Sequence, residues 1–537
     1  MALPPMLMRA APRQLLPLTT GRRLAILLAL VVAGCAAVRH DVPRLPSHVI
    51  DDAQQTALGR GFAAQLAATP GQSGFRLLPS GQEAFLIRAA LAEAAQRSLD
   101  LQYHIVAPDV TGTLLLYRAL RAAQRGVRVR LLIDDLDVAG RDEQLATLAA
   151  LPHVQVRVFN PYPRRGVPGW SPLFDYLISD GKRLNQRMHN KLWIADNAAA
   201  LIGGRNLGDP YFNADGQNNF ADLDVLAAGP VVAQASRSFD EYWNSEWAVP
   251  IEAFVAAPAS PAQAEQLMAE LTARAGAFRD TEYAQALRAS PLGQMVRNGS
   301  IALIAAHAKV IYDRPDKLDD SPAAPLGPLI TTLRETIGPA QHRLTLVSPY
   351  FVPHERGIDL LCGLARRGVR VRVLTNSLAS TDVAAVHAGY ARYRPRLLAC
   401  GVALFELRPS VLGSGKVRRV LSSGVSLHAK AIVVDGRSVV IGSMNLDPRS
   451  RSLNTEVAVS ISSEALAQQL DAWFDEAASL DRSFQPALSE PGNPAAALVW
   501  AGRDDDLIES YTSEPLASWW QRLVAGLLGL LVPEEQL

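Results

Sequence analysis

Two stretches of this chain, far apart in the sequence, repeat one another. Residues 99–135 read LDLQYHIVAPDVTGTLLLYRALRAAQRGVRVRLLIDD, and residues 344–377 read LTLVSPYFVPHERGIDLLCGLARRGVRVRVLTNS. Each begins as a strand and continues as a helix with apolar residues three and four apart. Each helix ends in glycine, and a β-branched strand follows through a copy of RGVRVR, at 125–130 and 367–372. A strand–helix–strand unit calls for a partly parallel sheet covered by helices. At 537 residues the chain is long enough for two cores. The expected fold is therefore α/β: two similar halves, each a mixed sheet flanked by helices, forming a pseudo-dimer with one shared site at the junction.

A second repeated element carries the chemistry. The chain holds six lysines and ten histidines, so His-x-Lys should arise by chance roughly 0.1 times. It occurs three times, at His189/Lys191, His307/Lys309 and His428/Lys430. The first and last keep register with the repeat: Gly126 to His189 is 63 residues and Gly368 to His428 is 60. Each leads into an apolar strand that ends in aspartate (Asp196, Asp435), then a turn, a second short strand and an asparagine (Asn206, Asn445). The copy at His307 has Arg314 where the aspartate should stand and no Gly-x-x-Asn after it, so it reads as an ordinary strand. His104, in LQYHIV, reads as a core-edge or pocket-lining residue.

In a strand, residues i and i+2 share a face, so His and Lys of each motif project together. Two copies facing across a pseudo-two-fold supply two imidazoles, two ammonium groups and two amides. That set suits a phosphodiester. Lysine is a compact point charge that can neutralise phosphate and the extra charge of its transition state. One neutral imidazole can attack phosphorus, and the other, protonated, can give its proton to the leaving oxygen. No metal or nucleotide cofactor is required.

The paired motifs, with GGRN and GSMNLDPRS beside them, resemble the HKD motifs of the phospholipase D superfamily across most of residues 76–485. SPYFVP, FADLDVLAAGP and TNSLASTDVAAVHAGYARYRPRLLACGV look most like its bacterial cardiolipin synthase branch. The resemblance implies phosphodiester transfer on phospholipids through a phosphohistidine, of the cardiolipin synthase type, with His189, Lys191, Asp196, His428, Lys430 and Asp435 as catalytic motif residues. Hydrolysis with water as acceptor needs the same groups. A nuclease and a non-catalytic envelope scaffold are the remaining alternatives. The resemblance also implies an acidic partner for each histidine from a later strand. By position these are Asp222 and Glu456, with Asp224 a rival on the same strand face; Asp196 and Asp435 are read as structural or orienting, not nucleophilic. His189 is expected to be the nucleophile, because relatives tend to use the first motif. The expected substrate resembles phosphatidylglycerol, at a membrane surface.

Composition narrows the setting. Net charge is +1, and the first 34 residues carry four arginines and no acid, leaving the rest at −3. A mildly acidic body does not suit a non-specific nucleic-acid binder. Arg22 and Arg23 precede the short apolar run Leu24–Val32 and then VAGC, ending at Cys35. That is the pattern of an export signal, and Val32–Cys35 resembles a bacterial lipobox. Residues 1–34 are read as a signal peptide, 35–75 as a tether, 76–260 and 326–485 as the two halves, 261–325 as a connecting segment and 486–537 as a tail. Localisation in the bacterial envelope facing the periplasm, anchored through Cys35, follows; Ala36 after the cysteine leans to the outer membrane.

Cys362 and Cys400 lie in apolar surroundings and read as two buried free thiols ahead of the disulfide that an exported protein permits. HAGYARYRPR (387–396) mixes aromatics and cations and reads as a lipid head-group reader or a solvated helix face. The tail holds Trp519–Trp520 and an apolar run too short to span a bilayer; it reads as interfacial or as a docked helix. For the N-terminus, Cys35→Ala should abolish incorporation of labelled fatty acid and release the protein or block its maturation. Intact precursor staying soluble in the cytoplasm of wild-type cells would refute the anchor.

Overall fold

The strands that follow His189 and His428 alternate between two cores. Leu192 and Ile194 face one apolar cluster and Trp193 and Ala195 another; likewise Ala431 and Val433 share the first cluster while Ile432 and Val434 turn to a third. A strand buried on both faces belongs between two layers. In the computed structural model, two sheets share the middle core and each carries helices on its far side. The structure describes residues 36–534 apart from 38, 40, 137, 139, 163, 166–180, 217, 299–300, 319–326, 410–424 and 505–506. The signal segment and Cys35 lie outside the described residues.

The first half contains β1 (Ser73–Leu78), β2 (Ser98–Tyr103), β3 (Arg128–Asp134), β4 (Val154–Phe159), β5 (Leu192–Ala195), β6 (Ala199–Gly203), β7 (Asp224–Ala228) and β8 (Ala248–Pro250). Their hydrogen-bonded order is β1-β7-β6-β5-β2-β3-β4-β8. The second half contains β9 (Ile304–Tyr312), β10 (Arg343–Val347), β11 (Arg370–Asn376), β12 (Ala403–Leu407), β13 (Ala431–Val434), β14 (Ser438–Gly442), β15 (Val457–Ser462) and β16 (Ser483–Leu488). Its order, β9-β15-β14-β13-β10-β11-β12-β16, is the same permutation. Among the described residues of these two sheets, only β2-β3-β4 and β10-β11-β12 run parallel, as the strand–helix–strand repeat requires.

The duplicated helices, Val110–Gln124 and His354–Arg366, each stop just before a glycine in the left-handed region, Gly126 at φ 92° and Gly368 at φ 87°. In the first, Asp109 caps the helix by accepting from Gly112 N at 3.0 Å.

The two sheets join through β9, which pairs with β1 over Ile304–Ala306 and with β15 over His307–Tyr312. The His307/Lys309 copy therefore lies on the strand equivalent to β1, with both side chains exposed. This strand falls within the stretch read as a connecting segment, beyond the helices Pro261–Arg279, Glu282–Ala289 and Pro291–Arg297. The stretch read as a tether contains the helix Ala57–Gln65 and the start of β1. Its backbone is also held along the first half, with Arg157 and Arg130 donating to Leu45 O (2.6 Å) and Ser47 O (2.8 Å).

Two expectations are corrected here. Cys362 and Cys400 form a disulfide with Cα atoms 5.4 Å apart: helix His354–Arg366 packs on helix Arg394–Ala399 and brings the two cysteines together. The HAGYARYRPR segment is neither solvated nor open to a head group along its key residues. His387, Tyr390 and Arg394 are buried, and Arg394 pairs with Glu406 (3.0 Å) and Glu514 (2.9 Å). A buried guanidinium must be paired, and here the pairing fastens the tail to the second half.

Because His307 is an exposed residue on the joining strand, His307→Ala should leave turnover within a few-fold and stability within about 0.5 kcal/mol. An activity loss approaching that of His189→Ala would overturn this placement.

Candidate active site

Each motif's backbone is fixed by the other half. Arg187–Met188 pairs in parallel with Asn454–Thr455, and His189 N donates to Thr455 O at 2.9 Å. Asn219–Ala221 pairs in parallel with Val425–Leu427, and His428 N donates to Ala221 O at 2.8 Å. The next position along each ladder sets a histidine beside a carboxylate of the opposite half. His189 Nδ1 lies 2.9 and 3.0 Å from the two Glu456 oxygens. His428 Nδ1 lies 2.7 Å from Asp222 Oδ2. The acidic partners are those the sequence pointed to, but they cross: Asp222, from the first half, serves the histidine of the second. Asp224 is not a rival, because its carboxylate is bound by Arg88 (2.8 Å) and Arg205 (3.5 Å) in the core.

A carboxylate accepts, so it holds the proton on Nδ1 and leaves the Nε2 lone pair for chemistry. Burial pushes both imidazoles well below their usual range, and the charges of Lys191 and Lys430 push each of them further. Both are therefore neutral in the free enzyme. Burial also lowers Lys191 to about 7 and Lys430 to about 8, with nearby carboxylates pulling the other way. Lys191 Nζ donates to His189 O at 2.7 Å, and Lys430 Nζ donates to His428 O and lies 3.0 Å from His428 Nδ1. Glu456 is raised by burial to about 7, opposed by Lys191 and by the hydroxyls of Ser443 and Ser450, which donate to it.

Asp196 and Asp435 take no part in this cluster. Each sits at positive φ (55° and 51°) and accepts from three consecutive backbone N–H groups: Gln96, Arg97 and Ser98 for Asp196, Gln341, His342 and Arg343 for Asp435. They fasten the turns that enter β2 and β10, which is why the motif contains them. Asn206 accepts from Ile105 N (3.2 Å) and donates to Tyr211 OH (2.8 Å). Asn445 Oδ1 is buried with no partner among the described residues.

Sequence reasoning missed the residues that make the halves unlike. Ser443 and Gly204 occupy equivalent places after β14 and β6. The serine hydroxyl binds Glu456, whereas a Cβ at Gly204 would stand 2.2 Å from Asp222 Oδ1. The glutamate is thus held by a serine, and the shorter aspartate is admitted by a glycine. His428 is walled by Tyr211 and Phe220, with ring centroids 5.3 and 5.0 Å away, and His189 by His104 at 5.1 Å. Within the motif contexts, the GGRN/GSMN difference was the one available signal. Among the described residues, no three His, Cys, Asp or Glu side chains are grouped as a metal site.

A family model described as "Cardiolipin synthase, PLD-like domain" matches residues 87–243 and 333–478, one span in each half. The chain belongs to the phospholipase D-like family, and it is an enzyme of that family. It is similar to cardiolipin synthase C of Escherichia coli K12, at 39% identity over 87% of this chain and 96% of that one. It is also similar to an uncharacterised protein of Helicobacter pylori 26695, at 30% identity over 94% and 97%. A phosphatidylserine synthase of Haemophilus influenzae, solved by crystallography, shares the fold with a TM-score of 0.56 over 89% of this chain and 100% of that one, at 13% identity.

The crossed pairing makes a prediction. Glu456→Gln should move the imidazole ¹⁵N signals of His189 more than those of His428, and Asp222→Asn the reverse. Each should lower kcat by about 10²- to 10⁴-fold, as loss of an orienting carboxylate does. The opposite NMR pattern would refute the crossing.

Proposed function

We propose that this enzyme transfers a phosphatidyl group between phospholipid head-group alcohols, in the manner its cardiolipin synthase relatives are named for, with phosphatidylglycerol as the donor. The observation that carries the reading is the single cluster of two carboxylate-held histidines and two buried lysines, built from both halves. Similarity to cardiolipin synthase C supports the choice of phospholipid. In the first step His189 Nε2 attacks phosphorus, the bond to the departing glycerol oxygen breaks, and His428 gives that oxygen a proton. In the second, the incoming alcohol gives its proton to His428, its oxygen bonds phosphorus, and the P–N bond breaks. Lys191 and Lys430 meet the phosphate charge throughout. Because both imidazoles are neutral in the free enzyme, His428 must gain its proton as the anionic substrate binds and raises its pKa.

Exchange of one phosphodiester for another is close to energy-neutral. It therefore suits an envelope enzyme anchored at Cys35, where ATP is absent. Hydrolysis uses the same groups with water as acceptor, and the acceptor decides between them.

Purified protein incubated with phosphatidylglycerol alone should yield cardiolipin and glycerol by mass spectrometry; phosphatidic acid as the sole product would establish hydrolysis instead. In the same assay kcat/KM should fall as pH rises from about 7 to about 8, where the free enzyme's lysines lose their charge. The alkaline limb of kcat should lie higher, because bound phosphate favours the ammonium form. A kcat/KM that keeps rising through this range would exclude charged lysines as the phosphate-binding groups.

A further inference from the structure

The C-terminal helix, Trp519–Leu531, is fixed in place with its apolar face turned outward. Its start is organised by a capping box between Ser518 and Gln521. It packs on helix Ala384–Ala391, with Ala525 buried and Gly529 so close that a Cβ there would touch Ala388 at 3.4 Å. Both ends are tied by polar groups. Before the helix, Glu514 pairs with buried Arg394 at 2.9 Å and lies 3.5 Å from His387. After it, Glu534 accepts from Tyr393 OH and lies 3.1 Å from His354 Nδ1. Arg522 bonds back to Glu514 O. A helix tied at both ends cannot roll to bury its other face.

That face is unusual for this molecule. Of the 13 exposed large hydrophobic residues among those described, seven lie between Leu516 and Leu531. Trp519 is 73% exposed, Leu530 86% and Leu531 74%. The helix carries no acidic residue and no lysine. Concentrated exposed apolar surface of this kind marks an interaction site. No helix among the described residues is long and apolar enough to cross a membrane. A short apolar face with tryptophans at one end suits the interfacial layer of a bilayer.

Its place in the fold selects the partner. The supporting helix is preceded by Asp382, which accepts from Tyr350 OH at 2.8 Å and is close enough to act on the charge of Lys430. His354, at the other tie, lies three residues beyond Phe351, which bridges to Leu446 next to Asn445. The helix that supports this face is therefore joined at its start to the second half's side of the active site.

We propose that the outward face of Trp519–Leu531 seats this enzyme on the phospholipid bilayer that holds its substrate, with the active site beside the contact. The choice of a lipid surface rests on the phospholipid reading above. The ties through Glu514 and Glu534 hold the face ready, so binding incurs no folding of the helix.

The test uses the full chain reconstituted with phosphatidylglycerol vesicles whose acyl chains carry bromine, which quenches tryptophan on contact. Wild-type emission should be quenched, and most of the quenched part should be missing in Trp519→Phe/Trp520→Phe. Leu527→Ser/Leu530→Ser should lower kcat/KM on vesicles roughly tenfold and leave turnover of short-chain, monomeric phosphatidylglycerol unchanged. Equal quenching with and without the two tryptophans would overturn the proposal. So would cross-links from this face to a second copy of the chain that the leucine substitutions abolish. Quenching needs no turnover, so failure of the transfer reaction alone would count against the proposed function and not against this contact.

Discussion

Two short parallel ladders across the junction hold the site together. One pairs 187–188 with 454–455, the other 219–221 with 425–427. Each is only two or three residues long, and each sets the spacing between a histidine of one half and a carboxylate of the other. The imidazole tautomers, and so the free Nε2 atoms, depend on that spacing. Neither half contains a complete site, since each histidine lacks its acid until the halves meet. The buried core shared by the two sheets is what keeps these ladders in register.

The polar groups gathered at the junction are costly to bury. Two lysines, two histidines and two carboxylates sit there almost without solvent. The lysines respond by falling toward neutral pH and the carboxylates by rising. A phosphodiester anion would relieve the imbalance by favouring the ammonium and imidazolium forms. Charges placed in advance around the phosphate position are the preorganisation that phosphodiester transfer exploits.

The halves share a strand order but not every contact. His104 stands beside His189, whereas Tyr211 and Phe220 wall His428. Ser443 serves Glu456 where Gly204 makes room for Asp222. These differences give the two histidines unlike surroundings. The tail adds a further asymmetry, because Glu406 and Glu514 tie it to the second half through Arg394.

The sequence by itself determined the duplication, the α/β class and the motif residues, because strand and helix periods and a rare His-x-Lys pairing are local and repeat in register. It also set aside His307/Lys309, since the missing aspartate and turn are local too. The family resemblance of its motifs, not the local pattern, pointed to Asp222 and Glu456 as the acids. What the sequence left open depends on contacts between distant segments. The crossing of the acids follows from inter-half ladders that no single half encodes. The Cys362–Cys400 bond follows from how two helices pack, and apolar flanks could not distinguish a bonded cysteine from a free one. HAGYARYRPR looked like a surface because its cations and aromatics are amphipathic; only the arrival of Glu406 and Glu514 makes its burial tolerable. The tail read equally as docked or interfacial from its residues. The tertiary structure docked it by tying its ends and left its leucines turned out.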